Sequence, residues 1–106
     1  MLEITRDNYD AEVKNSAVPV LLDFWASWCA PCRMLSPIVD ELSAERGDIR
    51  FGKVNVDEQP ALASAFGISS IPTLVLVSGD KIIAQSVGYC QKSELCAMID
   101  GALAKQ

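Results

Sequence analysis

Histidine and long apolar runs are both missing from the sequence, and each absence excludes a class of function. None of the 106 residues is histidine, which removes Ser–His–Asp and Cys–His catalysis and most zinc sites built on imidazole. No segment approaches the roughly 18–20 apolar residues that a bilayer-crossing helix needs. The N-terminal segment, Met1 to Asp7, contains neither a charged and then apolar leader nor a cleavage site. We therefore expect a cytoplasmic protein with no membrane partner.

Basic residues are also few, and they form no runs. The chain carries 9 Lys and Arg against 14 Asp and Glu, for a net charge of −5, which argues against nucleic-acid binding. Half of the residues are apolar and 22% are charged, a composition typical of a folded domain. There are no internal repeats, linkers or low-complexity tracts, so we expect residues 1–106 to form one domain, and we expect a monomer.

Apolar periodicity predicts an alternation of strands and helices. Strands are predicted near residues 2–4, 20–26, 49–56, 74–77 and 81–87, and helices near 7–15, 33–46, 57–67 and 91–104. Pro37 should kink the second helix, and Gly47 should end it. Because alternation comes first and a hairpin last, the order β-α-β-α-β-α-β-β-α predicts an α/β fold with a mixed sheet and helices on both faces.

The main chemical signal is a pair of thiols, Cys29 and Cys32, separated by two residues. The pair lies between a predicted strand and a predicted helix, and a helix N-terminus stabilises a thiolate. A thiolate is the nucleophile of thiol–disulfide exchange. Zinc knuckles use the same spacing, but a structural zinc site normally needs four ligands. The other cysteines, Cys90 and Cys96, do not form a second such pair, so the pattern favours redox chemistry, with no metal site.

Four residues have predicted roles in that chemistry. Cys29 should be the exposed attacking thiol, and Cys32, one turn into the helix, the less exposed resolving thiol. Pro31 fixes φ in the first helical turn and removes a donor near the sulfur atoms. Asp23 is a carboxylate in an apolar strand, where isolated burial would raise its pKa. Such a carboxylate could take or supply a proton during exchange if it lies close to Cys32, a role that the family resemblance described below assigns to it. The alternative for Asp23 is a strand position that faces solvent.

Seven motifs, in order along essentially the whole chain, resemble the thioredoxin family. They are Asp23-Phe24-Trp25-Ala26, Trp28-Cys29-Ala30-Pro31-Cys32, Pro37, Lys53-Val54-Asn55-Val56-Asp57, Gly67-Ile68, Ile71-Pro72-Thr73 and Val87-Gly88. The resemblance implies the thioredoxin fold, a central mixed five-stranded sheet flanked by four helices. It also implies a cytosolic dithiol carrier that reduces protein disulfides, is recharged by a thioredoxin reductase and needs no bound cofactor.

The resemblance implies two further site features that the residues alone do not favour. It places Lys53 beside Asp23, where composition alone favours a solvated strand lysine. It makes the bond before Pro72 cis and packs Pro72 against the cysteine pair, although X–Pro bonds in folded proteins are cis in only about 5–6% of cases. The backbone of the neighbouring residue, Ile71, would then pair with a substrate chain.

Several apolar residues are expected to form a rim around Cys29, to which protein segments would bind. These residues are Trp28, Gly67, Ile68, Ile71, Gly88 and Tyr89. Ala30 stands where the family commonly has glycine, and we expect activity to survive with a changed potential, rate or reductase fit. Cys90 and Cys96 are interpreted as apolar residues at the core edge, with a regulatory thiol at Cys90 as the alternative. The alternative to the whole functional hypothesis is a binding module with incidental thiols.

Overall fold

Five strands form one mixed sheet in the computed structural model, which describes all of residues 1–106. The strands are β1 (Leu2–Glu3), β2 (Val20–Trp25), β3 (Arg50–Asn55), β4 (Thr73–Ser78) and β5 (Lys81–Val87). Strands β1 and β2 both run parallel to β3, whereas β4 is antiparallel to β2 and β5 is antiparallel to β4. The spatial order is β1-β3-β2-β4-β5.

Four helical segments accompany the sheet, so the α/β fold implied by the resemblance is confirmed. The first, Asp10–Lys14, is a π-helical turn in which the amide of Asn15 donates to the carbonyl of Asp10 at 2.9 Å. The α-helices are α1 (Ala30–Glu45), α2 (Pro60–Ala65) and α3 (Lys92–Ala104). None of them is long and apolar enough to cross a membrane.

Helix α1 differs from its predicted limits at both ends. It begins at Ala30, three residues before the prediction, because Cys29 caps it and Pro31 fits its first turn. It ends at Glu45, one residue before the predicted last residue, and Arg46 is in an extended conformation at φ −111°. Pro37 lies inside the helix.

Two hydrophobic clusters cover the two faces of the sheet. Successive side chains of a strand point to opposite faces, and adjacent Leu21 and Leu22 of β2 accordingly belong to different clusters. The cluster with Leu21 includes Leu35 of α1 and Ile99 of α3, both 0% exposed. Coverage on both faces explains why β2 and β4 are almost continuously apolar.

Strand register brings three chain segments to one end of the sheet. Phe24 near the end of β2 is opposite Thr73 at the start of β4, and Thr73 is opposite Val87 at the end of β5. The cysteine segment follows β2, Pro72 precedes β4, and Gly88 follows β5. The segments predicted to carry the site therefore meet here.

Candidate active site

A disulfide bond joins Cys29 and Cys32 at the N-terminus of α1, with their Cα atoms 5.3 Å apart. Cys29 is the N-cap residue, and its Sγ accepts a hydrogen bond from the backbone N–H of Cys32 at 3.2 Å. Pro31 contributes no N–H to the first turn, where helical N–H groups lack partners. After reduction, this donor and the helix dipole would stabilise a thiolate on Cys29.

The prediction that Cys29 is exposed and Cys32 less so is wrong for the disulfide form. Each residue is only 4% exposed. The two cysteines and Ala26 form a small buried cluster, which Trp25, Val56 and Ile71 cover. Because both residues belong to this cluster, both are buried.

Asp23 of β2 is buried, with 2% of its surface exposed. Its Oδ1 atom has no hydrogen-bond partner. Burial raises the pKa of Asp23 to about 6, and the positive charge of Lys53 opposes this rise only in part, while Asp40 adds to it. The solvent-facing alternative is therefore wrong, and the carboxyl group titrates close to neutral pH.

A cavity of about 100 Å³ connects this carboxyl group with the disulfide. Its walls are formed by Asp23, Trp25, Cys32, Arg33, Ser36 and Lys53. Lys53 of β3 is opposite Asp23 in the strand register, and its Nζ lies 5.6 Å from the centroid of the Trp25 ring. The structure thus brings the predicted residues Asp23, Cys32 and Lys53 together.

Two residues of this cavity were missed by the sequence analysis. Ser36 Oγ accepts a hydrogen bond from Lys53 Nζ at 3.3 Å, and Arg33 donates through Nη1 to the carbonyl of Ser27 at 2.8 Å. The available signal was helical spacing, because residues four apart share a helix face. Ser36 follows Cys32 by four residues.

An apolar groove of about 420 Å³ lies beside the disulfide. It is lined by Trp28, Val56, Ala63, Ile68, Ser69, Ser70 and Ile71. Trp28 is 67% exposed, and its Nε1 donates to Asp57 Oδ2 at 2.9 Å, which fixes the indole ring at the edge of the groove. Of the six residues of the predicted rim, Trp28, Ile68 and Ile71 line the groove. The other three, Gly67, Gly88 and Tyr89, do not line it.

The Ile71–Pro72 peptide bond is cis, as the resemblance implies. Pro72 is buried, and its carbonyl accepts a hydrogen bond from the N–H of Gly88 at 2.8 Å. Gly88 has φ +89°, a conformation that favours glycine. This bond ties the end of β5 to the start of β4, and Tyr89 beside it is 47% exposed.

Comparison with known proteins agrees with this geometry. A family model described as Thioredoxin matches residues 1–101. The chain is 42% identical over 101 residues to the thioredoxin of Haemophilus influenzae, covering 94% of each chain. It is 44% identical over 99 residues to thioredoxin 1 of a Nostoc species, covering 92% of each, and 40% identical over 104 residues to the thioredoxin of Acidithiobacillus ferridurans, covering 97% of this chain and 96% of the relative.

The chain belongs to the thioredoxin family. Its disulfide occupies the C-x-x-C position of that family. The protein is a thiol–disulfide oxidoreductase and, as an enzyme, a protein-disulfide reductase.

Ala30 and the two additional cysteines are the notable departures of this thioredoxin family member. Ala30 is exposed at the first position of α1, beside the disulfide. Cys90 and Cys96 are free, half-buried and packed against the core between the sheet and the helices α1 and α3. Burial raises the pKa of the Cys90 thiol, and Glu94 adds to this effect while Ser86 opposes it. This favours the core-edge interpretation over a regulatory thiol.

Proposed function

We propose that Cys29 is the attacking thiol and Cys32 the resolving thiol of disulfide reduction. The thiolate of Cys29 attacks one sulfur of a substrate disulfide; a Cys29–substrate disulfide forms, and the first substrate thiolate leaves and takes a proton. Cys32 then attacks Cys29 Sγ, which forms the Cys29–Cys32 disulfide and releases the second substrate thiolate. Two electrons pass from the protein dithiol to the substrate. The observation that carries this assignment is the hydrogen bond from the Cys32 amide to Cys29 Sγ at the helix N-terminus.

Asp23 is the proton acceptor for Cys32 in this proposal. The two residues line the same cavity, and the pKa of Asp23 is raised to about 6. A carboxylate in that range removes the proton from the resolving thiol more effectively than an ordinary aspartate, since general bases work best near the operating pH. Lys53 stabilises the charged form of Asp23, and Pro31 preorganises the helix turn that holds both sulfur atoms.

The substrate is an extended protein segment in this proposal. Trp28 and Ile71 provide apolar contact in the groove. Ala30 follows Cys29 in the chain, and Pro72 and Gly88, which are joined by a backbone hydrogen bond, lie at the same end of the sheet. Ile71 takes part in none of the backbone hydrogen bonds outside the helices and strands, so its N–H and C=O can pair with a substrate strand. Such pairing would place a substrate disulfide close to Cys29.

We further propose a thioredoxin reductase as the electron donor and disulfide-containing proteins as the acceptors. The protein would work as a monomeric single domain of residues 1–106 in cytoplasmic electron transport, without nucleic-acid or membrane partners. The single sheet with its two cores supports one domain. The net charge of −5 supports the absence of nucleic-acid binding.

Insulin reduction with NADPH and a thioredoxin reductase tests the proposal. The wild-type protein should reduce insulin with NADPH consumption, and Cys29→Ser should abolish the reaction. Cys32→Ser should accumulate a mixed disulfide between Cys29 and insulin, visible by mass spectrometry and released by dithiothreitol. Cys90→Ser is the matched control and should retain activity. If Cys32→Ser forms no mixed disulfide with insulin, the proposed roles of the two thiols are wrong and the binding-module alternative gains support.

A further inference from the structure

Helix α1 places a hydroxyl group at the wall of the cavity beneath the disulfide. Ser36 is half-buried, and its Oγ accepts the hydrogen bond from Lys53 Nζ at 3.3 Å. Lys53 belongs to β3, so this bond crosses from the sheet to the helix. The ammonium group of Lys53 therefore lies next to α1.

The strand register offers Lys53 a different partner. Lys53 is directly opposite Asp23 in the parallel pair of β2 and β3, so both side chains leave the same face of the sheet next to each other. No ion pair joins them, however, and Asp23 Oδ1 accepts no hydrogen bond. The ammonium group instead contacts Ser36 and lies 5.6 Å from the centroid of the Trp25 ring.

We propose that Ser36 is a positioning residue whose hydroxyl group holds the ammonium group of Lys53 against α1 and out of contact with the buried carboxyl group of Asp23. This inference rests on the proton-transfer role proposed above for Asp23. In this proposal Ser36 contacts neither the reacting sulfur atoms nor the substrate. It acts only through Lys53.

The charges around Asp23 explain why the position of the Lys53 ammonium group matters. The charged or titratable groups that face it come from two elements: Lys53 from β3, and Cys32, Arg33 and Asp40 from α1. Its partner on β4, Leu74, is uncharged. An opposite charge in direct contact lowers a carboxyl pKa by about 1–3 units, which would oppose the effect of burial. By keeping the ammonium group at a distance, Ser36 preserves a carboxyl group that can hold a proton near neutral pH.

Carbon-13 NMR of the Asp23 carboxyl group in the disulfide form measures this effect directly. We expect the titration midpoint of Ser36→Ala to fall by about 1 unit relative to wild type, because the released ammonium group moves to Asp23. Ser36→Thr keeps the hydroxyl group and should retain the wild-type midpoint. In a Lys53→Met background, Ser36→Ala should cause no shift, since the group it positions is gone.

Two results would overturn the positioning role. One is an unchanged or raised midpoint in a folded Ser36→Ala protein, with folding verified by its amide spectrum. The other is the same downward shift in the Lys53→Met background. Insulin reduction by the wild-type protein, measured in parallel, tests the proposed function separately: its failure would overturn the function, whereas an unchanged titration with normal insulin reduction would overturn the role of Ser36 alone.

Discussion

Asp23 lowers the stability of the fold at the pH where its proposed chemistry operates. Its pKa is raised from 3.8 to about 6 in the folded chain, so between these values the folded protein keeps a proton that the unfolded chain releases. Stability from this group therefore declines as pH rises through that window and is constant above about pH 6. The gap between the two pKa values corresponds to roughly 3 kcal/mol.

Asp23→Asn should remove the loss of stability that accompanies ionisation of Asp23. We expect the variant to be more stable than wild type by up to about 3 kcal/mol at pH 8, with the advantage shrinking steadily toward pH 4. Urea unfolding of the disulfide form at several pH values measures the difference. Asp7→Asn, at an exposed position, is the matched control and should not reproduce the trend. Wild-type and Asp23→Asn stabilities that stay parallel from pH 4 to pH 8 would contradict the assignment.

Among the secondary-structure elements, strand β1 packs closely beside β3 at a glycine of β3. Gly52 of β3 is opposite Leu2 of β1, and a Cβ atom placed on Gly52 would lie 2.6 Å from Cγ1 of Ile4. Ile4 is 1% exposed and packs in the cluster on that face of the sheet. Because a buried side chain has little room to move, the absence of a side chain at Gly52 allows the N-terminal strand to join the sheet.

Gly52→Ala should therefore destabilise the protein by about 1–3 kcal/mol, the usual cost of overpacking. Gly101→Ala provides an internal comparison, because a Cβ atom on that helical glycine meets nothing within 4 Å. It should instead stabilise α3 by up to about 1 kcal/mol. Urea unfolding of both variants measures whether each substitution lowers or raises the free energy of unfolding. Equal effects of the two substitutions would show that Ile4 adjusts freely.

The core of the whole protein is centred on the three interior strands of the sheet. These strands, β2, β3 and β4, each have buried residues in both hydrophobic clusters. Strands β1 and β5 lie at the edges, and β5 has no buried residue. Central strands covered on both faces open only when the whole structure unfolds.

Native-state hydrogen exchange should show stronger protection in the interior strands than in the edge strands. Amides of Leu22 and Val75 should exchange with the free energy of global unfolding, while amides that β5 leaves unpaired at its outer edge should exchange several orders of magnitude faster. Exchange followed by NMR at residue resolution provides the measurement. Equal protection of β5 and β2 would refute a core centred on the interior strands.

The sequence predicts the elements well because each depends on local pattern. The alternation of helices and strands, the final hairpin and the cysteines at a helix N-terminus all follow from periodicity and turn residues. The order of the strands in the sheet does not follow from these local patterns, because strand pairing depends on contacts between residues that are distant in the sequence. The exposure of Cys29 was predicted wrongly because it depends on how the disulfide packs against Ile71. Ser36 was missed because its importance comes from Lys53, a residue on another element.

The disulfide belongs to a small cluster of its own, with Ala26, Cys29 and Cys32, apart from the two larger ones. The groove beside it is built largely from residues outside the strands, and several of these are exposed, such as Trp28, Ser69 and Ser70. Selection can therefore alter substrate preference through these residues without repacking either core, since loops tolerate change better than the elements they connect. One scaffold can in this way give rise to paralogues that share an electron-transfer centre and differ in the proteins they reduce.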